Sequence, residues 1–119
     1  MKIQHYKDLI VWQKAMDLAE EIHRLSKAFP KEEIYGLTSQ IRRAAVSVPS
    51  NIAEGHARQS TAEFRNFLSI AQGSLAEVDT QQLLAQRFEY LDPTKAQQAE
   101  QLITEIAKML HSLRAKLKN

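Results

Sequence analysis

Apolar residues recur every three or four positions along four stretches of the chain, with polar residues between them. This spacing places the apolar side chains on one face of a helix, which is typical of amphipathic helices packed around a common core. The first stretch ends at Pro30, and no stretch has the pattern of a β-strand. The inward positions of the first stretch are Val11, Ala15, Leu18, Ile22, Leu25 and Phe29.

The second stretch, from about Leu37 to Glu54, contains an internal proline and is followed by a glycine. Pro49 has no N–H to donate to the carbonyl of residue 45 and crowds it, so we expect one bent helix or two short helices. Gly55 is expected to cap the C-terminal end. The inward positions are Leu37, Ile41, Ala44, Val48 and Ile52.

Capping signals precede the third and fourth stretches. Ser60 followed by Glu63 is a capping box, and Asp92 followed by Pro93 is typical of an N-cap before a proline at the first helical position. The third face comprises Phe64, Leu68, Ala71, Leu75 and Val78. The fourth comprises Ala99, Leu102, Ile106, Leu110, Leu113 and Leu117. Four such helices with short loops predict an all-α, up-down-up-down four-helix bundle, formed by one domain over residues 1–119.

Two of the predicted helices have a second apolar row that an isolated bundle does not require. A helix that is apolar on more than one face has more than one partner. The row favours either a wide face on a thick core or an interface between subunits, and both readings stay open. Gly73, which costs up to about 1 kcal/mol relative to Ala inside a helix, indicates close approach of another helix. The candidate interface residues are Trp12, Met16, Phe67, Ile70, Leu84 and Phe88.

Composition excludes several classes of protein. A chain of 119 residues buries enough apolar surface to fold without a disulfide or structural metal, and the absence of cysteine excludes zinc fingers and thiol catalysis. No segment has the composition of a signal peptide or a membrane span, so we expect a cytoplasmic protein with no membrane partner.

The sequence offers little support for an active site. Glu20 and His23 have the spacing of a di-iron ligand pair, but there is no second pair to complete such a site. The three glycines are too far apart for a phosphate-binding loop, and no serine lies in a nucleophile elbow. We therefore expect no catalytic residue, no metal, no cofactor and no enzymatic activity.

The distribution of charge is more informative than the net charge of +2. From residue 106 to the end there are four Lys and Arg residues and no acidic one, and Lys108, His111, Arg114 and Lys118 are expected on one outward face. A second basic set, which comprises Arg42, Arg43 and Arg58, brackets Pro49 in the sequence. Helix-end capping and salt bridges compete with phosphate binding as explanations, and the lack of interleaved aromatics argues against base stacking. The candidate nucleic-acid contacts are Arg42, Arg43, Arg58, Lys108, Arg114, Lys116 and Lys118.

Several blocks of the chain resemble the 23S rRNA-intervening-sequence protein family, also called the four-helix bundle proteins. They are Asp8–Met16, Phe29-Pro30-Lys31-x-Glu33, Tyr35–Ala45, Ser47-x-Pro49–Gly55 and Ala71-x-Gly73-Ser74-Leu75-x-Glu77. The family signature positions here are Gln40, Arg42, Arg43, Pro49, Ser50, Asn51, Glu54, Gly55 and Arg58. Where many relatives have Leu-Gly, this chain has Phe88-Glu89 before Tyr90.

The resemblance implies a homopentameric ring, encoded in some bacteria within an insert in the large-subunit rRNA gene, with no cofactor. The family is also similar to the accessory variability determinant of diversity-generating retroelements, a basic pentameric barrel that binds nucleic acid and a reverse transcriptase. We therefore expect a non-enzymatic homo-oligomer that binds structured RNA or other nucleic acid through its basic faces. The alternative is a protein-interaction scaffold that binds a protein partner and no nucleic acid.

Overall fold

The four apolar stretches form four α-helices that share one core. In the computed structural model, which describes residues 5–117, α1 spans Ile10–Ser26, α2 spans Leu37–Ala57, α3 spans Thr61–Arg87 and α4 spans Gln97–Lys116. Each helix packs against two neighbours, in the order α1, α2, α3, α4 and back to α1. The described residues contain no strand. The predicted all-α four-helix bundle is confirmed, and no helix within residues 5–117 has the length and apolarity to cross a bilayer.

The predicted inward positions are the core of the bundle. Every member of the four faces is buried except Leu117, which is half-buried against the core. Leu18, Val48, Leu68 and Ile106 are fully enclosed, one from each helix. Burial of these faces is the main favourable contribution to folding, because the hydrophobic effect scales with the apolar area removed from water.

Helix α2 continues without interruption through Pro49, so the alternative of two short helices is wrong. The prediction that Gly55 caps this helix is also wrong, because α2 ends two residues later and Gly55 is buried inside it. A Cβ atom at Gly55 would lie 2.6 Å from Phe67 Cβ and 3.0 Å from Phe64 Cδ1. Glycine is present here because α3 passes too close for a side chain.

Polar contacts extend the close packing of α2 and α3 toward the middle of the bundle. The hydroxyl groups of Ser47 and Ser74 form a hydrogen bond of 2.8 Å across the two helices. The Asn51 amide donates to both the Ser47 carbonyl and the Ser47 Oγ, each at 2.8 Å. Because Ser74 is buried, its hydrogen bond to Ser47 satisfies a hydroxyl group that would otherwise be costly to enclose.

The predicted capping signal at the start of α3 is confirmed, whereas the one before α4 does not start that helix. Ser60 caps α3 as predicted, accepting from the Glu63 N–H at 3.1 Å. Asp92 accepts from the Thr94 N–H at 2.9 Å, but the next residues form turns and α4 begins at Gln97, so the predicted start of this helix is wrong. The turns result from bonds that return to the Asp92 carbonyl from residues 95 and 96.

A Schellman motif ends α3 without the usual glycine. Glu89 adopts φ 63°, while the N–H groups of Glu89 and Tyr90 donate to Gln86 and Ala85 at 3.0 and 2.9 Å. This left-handed backbone position normally favours glycine, which has no Cβ atom to clash there. Glu89 therefore holds a strained backbone conformation.

The two loops at this end of the bundle are joined by one carboxylate. Glu33 accepts from the Leu37 N–H at 3.0 Å and from the Tyr90 hydroxyl at 2.9 Å. The Leu37 N–H, and secondarily the Tyr90 hydroxyl, lower the pKa of Glu33, and the bond to Glu33 raises the pKa of Tyr90. The bond links the α1–α2 loop to the α3–α4 loop.

The two helical glycines at positions 55 and 73 give opposite predictions. Gly55→Ala should lower the free energy of unfolding by about 1–3 kcal/mol, because the new methyl group overlaps Phe67. A Cβ atom at Gly73 would meet no neighbouring helix within 4 Å in the described chain, so Gly73→Ala should raise the free energy of unfolding by about 0.5–1 kcal/mol through helix propensity. Urea denaturation at one fixed protein concentration measures both. Equal effects of the two substitutions would contradict the assigned packing, and a loss at Gly73 would place a second copy against it.

Candidate nucleic-acid interface

The antiparallel order of the helices divides the charged residues unequally between the two ends of the bundle. The basic end comprises residues 5–12, 52–67 and 108–117. It has six Lys and Arg residues against three Asp and Glu. The opposite end comprises residues 20–43 and 87–100, with seven of each sign. The basic end therefore carries a formal net charge of about +3, whereas the positive and negative charges of the opposite end cancel.

Two exposed lysines on α4 border an apolar groove at the basic end. Lys108 and Lys116 form no ion pair with any residue in the range 5–117. The groove between the end of α4 and the start of α1 has a volume of about 390 Å³. Leu9, Val11 and Leu113 line its floor. Both ammonium groups are therefore free to contact an external anion.

Two arginines lie where the start of α3 meets the end of α4. Arg65 Nε donates to the Arg114 carbonyl at 3.3 Å, and Arg114 Nη1 donates to Gln72 Oε1 at 2.8 Å. Arg114 Nε is buried and has no hydrogen-bond partner in the described part of the chain. Neither guanidinium is paired with a described carboxylate. Arg65 was missed from the sequence because its position beside α4 depends on tertiary packing.

Arg58 lies at the basic end, but part of its guanidinium is already engaged. Its Nη2 forms an ion pair of 2.8 Å with Glu54 Oε2, one turn earlier on α2. Its Cζ also lies 4.8 Å from the centroid of the Phe67 ring. This arrangement agrees with the intrahelical salt bridge that the sequence left open.

Arg42 and Arg43 do not lie beside Arg58, so the three arginines that bracket Pro49 do not form one cluster. Fifteen residues separate Arg43 from Arg58, which is about 22 Å along a helix. Arg42 is half-buried and donates to Ser26 Oγ at 2.7 Å and to the carbonyl of residue 23 at 3.3 Å. Arg43 is exposed and has no partner among residues 5–117.

The single outward face expected on α4 is also divided. Lys108 and Lys116 border the groove beside α1, whereas Arg114 is half-buried against α3. The physical reason is that Lys108 and Arg114 are six residues apart, which places them on different sides of a helix. Lys118, the last member of the expected face, lies outside the described residues.

Two members of the second apolar row, Trp12 and Phe67, pack within the bundle. Trp12 is half-buried against the core, with its ring 5.3 Å from that of Tyr6, and Phe67 is half-buried below Arg58. The other candidates lie at the surface along α1 and α3, which do not contact each other within the described bundle. These exposed residues are Met16, Ile70, Leu84 and Phe88.

Packing accounts for most of the α2 signature. Pro49 and Gly55 are buried, Asn51 bonds to residue 47, and Glu54 is paired with Arg58. Gln40 and Ser50 are exposed. The four packed or bonded positions stabilise α2 and its contact with α3.

The described residues contain no cluster of three His, Cys, Asp or Glu side chains that could hold a metal ion. Glu20 and His23, the pair with metal-ligand spacing, are both exposed on α1. At the basic end, unpaired cations lie beside apolar surface, an arrangement that is chemically suited to anions.

Comparisons with known proteins agree with this architecture. The sequence profile of the 23S rRNA-intervening sequence proteins matches residues 7–112. A protein of unknown function from the S23 ribosomal protein family of Bacteroides thetaiotaomicron is 30% identical, with a TM-score of 0.81 over 87% of this chain and 97% of its own. No curated protein matches the chain. The profile match over most of the sequence, together with this shared fold, shows that the chain belongs to the family of 23S rRNA-intervening sequence proteins.

Proposed function

We propose that this protein is a non-enzymatic homo-oligomer that binds structured RNA through its basic end. The observation on which the proposal rests is the set of unpaired cations there, with Lys108 and Lys116 on one side of α4 and Arg65 and Arg114 on the other. Phosphate contacts from lysine and arginine supply most of the affinity of proteins that bind nucleic acid without reading its sequence.

The aromatic residues near the basic end favour contact with the RNA backbone over base stacking. The rings of Tyr6 and Trp12 lie 5.3 Å apart, and those of His56 and Phe64 lie 5.9 Å apart. Because these rings pack against one another, they are not arranged as a platform for unstacked bases. The surface therefore suits a folded RNA that is recognised by shape and charge.

The family name provides the first ligand to test. The family is named for the intervening sequence of 23S rRNA. A structured ribosomal RNA fragment is accordingly the first ligand to test, with duplex DNA of equal length as the comparison. A preference for RNA would agree with recognition of A-form geometry and 2′-hydroxyl groups.

The exposed apolar residues support self-association. Ile70 lies on α3 and Phe88 at its C-terminal end, with 45% and 52% of their surface exposed, while Met16 lies on α1. Because these helices occupy different sides of the bundle, contact between one copy's α3 and the next copy's α1 would be heterologous. Heterologous contacts close into rings when the rotation permits, which agrees with the pentamer that the family resemblance implies.

Charge reversal at the basic end tests RNA binding. Lys108→Glu with Lys116→Glu should weaken binding of a 23S rRNA fragment at least about tenfold and reduce the salt slope by about 2. The matched control, Arg87→Glu with Lys95→Glu, makes the same change in net charge at the opposite end and should alter affinity less than about twofold. Fluorescence anisotropy at several salt concentrations measures both.

Equal losses in the two double variants would contradict a binding surface at the basic end. Absence of binding by the unaltered protein at low salt would overturn the proposal and favour the protein scaffold. Light scattering on the same samples separates loss of binding from loss of assembly.

Substitution of the α3 row tests self-association. Ile70→Asp with Phe88→Asp should reduce the mass in solution to that of one chain, 13.6 kDa, because charged groups would lie in the subunit contact. Val46→Asp, at another exposed apolar position, should leave the mass unchanged. Light scattering measures the mass and circular dichroism the helicity. A mass of 13.6 kDa for the unaltered protein would contradict self-association.

A further inference from the structure

A second cavity opens at the opposite end of the bundle, between the loop after α1 and the start of α2. Its volume is about 470 Å³, which is within the range of small-molecule sites. One part of its wall is apolar and the other is cationic. The apolar part comprises Phe29, Pro30 and Ile34, and the cationic part comprises Lys27, Lys31 and Arg42.

A hydroxyl with no partner in residues 5–117 lies at the surface of this cavity. Thr38 is only 4% exposed and lines the cavity wall. Its hydroxyl forms no hydrogen bond with any group in residues 5–117. Because this hydroxyl is accessible from the cavity, it can donate a hydrogen bond to a ligand there or accept one from it.

Arg42 is held in position at the cavity by bonds that leave part of its guanidinium unused. Its Nε donates to Ser26 Oγ at 2.7 Å, and its Nη2 donates to the carbonyl of residue 23 at 3.3 Å. Ser26 is itself buried. Nη1 has no partner among the described residues. A guanidinium fixed in this way loses little conformational freedom when it binds an anion.

The cavity offers cations without compensating acids. Lys27 and Lys31 are exposed and form no ion pair with any described residue. The nearest acidic residues in sequence are Glu32, which is exposed and does not line the cavity, and Glu33, whose carboxylate bonds to Leu37 and Tyr90. The polar part of the wall is therefore suited to an anion.

We propose that this cavity binds a nucleoside monophosphate. The phosphate would contact the cationic wall of Lys27, Lys31 and Arg42, where ammonium and guanidinium groups supply charge-assisted hydrogen bonds. The planar base would lie against the apolar wall, and the Thr38 hydroxyl would gain the partner that it lacks. This site lies at the end of the bundle away from the proposed RNA surface and is independent of it.

Binding of separate ligand fragments tests the chemistry of the site. Adenosine monophosphate, adenosine and inorganic phosphate would each be titrated into the full-length protein, with binding followed by ¹⁵N chemical shifts. The nucleotide should bind at least about tenfold more tightly than either fragment, with shifts concentrated around residues 26–42. Inorganic phosphate binding as tightly as the nucleotide would overturn the proposal, as would the absence of saturable shifts with the nucleotide.

Three variants test whether nucleotide binding depends on the residues of this cavity or only on the positive charge of the surface. Thr38→Val keeps the side-chain shape and removes the hydroxyl, so nucleotide affinity should fall about fivefold while the unfolding midpoint is unchanged or raised. Lys27→Met with Lys31→Met should lower the affinity at least about tenfold. Arg43→Met, an exposed arginine outside the cavity, should leave the affinity unchanged. Unaltered binding in Thr38→Val, or equal loss in Arg43→Met, would overturn the proposal.

Discussion

The close approach of α2 and α3 at Gly55 is the constraint on which the rest of the bundle depends. Because a Cβ atom there would lie 2.6 Å from Phe67, no other residue fits without displacement of α3. The same contact places Phe67 below Arg58 and brings the start of α3 beside the end of α4, where Arg65 reaches the Arg114 carbonyl. The close packing of α2 and α3 around Gly55 therefore helps to position the residues of the basic end.

Arginines at both ends of the bundle bond to the final turns of neighbouring helices. Arg42, on α2, donates to the carbonyl of residue 23 near the end of α1, and Arg65, on α3, donates to that of Arg114 near the end of α4. Carbonyls in the last turn of a helix lack the regular i+4 N–H donor of the helix interior and lie at the negative end of its dipole. A cation there is stabilising, and its remaining N–H groups stay available for an external anion. Structural and binding roles are therefore compatible in one side chain.

Helix periodicity predicted the bundle because burial of one face decides whether a helix packs. All four faces were found from spacing alone, and Leu117 is the one predicted face residue that is only half-buried. Helix ends were harder to predict. Gly55 has the residue type of a C-cap but is needed for interhelical distance, and Asp92-Pro93 starts a turn that precedes α4.

The candidate sites could be predicted only in part, because they depend on which helix ends meet. Lys108, Arg114 and Lys116 were identified from the charge of α4, but their division between two sides follows from the neighbours of that helix. Arg65 gave no signal because the acidic residues of α3 outnumber its basic ones. The cavity beside Thr38 combines residues from α1, α2 and the loop between them, and no local motif marks it.

RNA binding at the basic end is tested most directly by the acetylation of individual lysines, measured by mass spectrometry with and without a bound 23S rRNA fragment. Lys7, Lys108 and Lys116 lie at the basic end, whereas Lys27, Lys31 and Lys95 lie at the opposite end, and all six are exposed. If RNA binds at the basic end, it should protect the first three lysines from acetylation and leave the other three as reactive as in the free protein. Protection of Lys27, Lys31 and Lys95, or equal protection of all six, would contradict binding at the basic end.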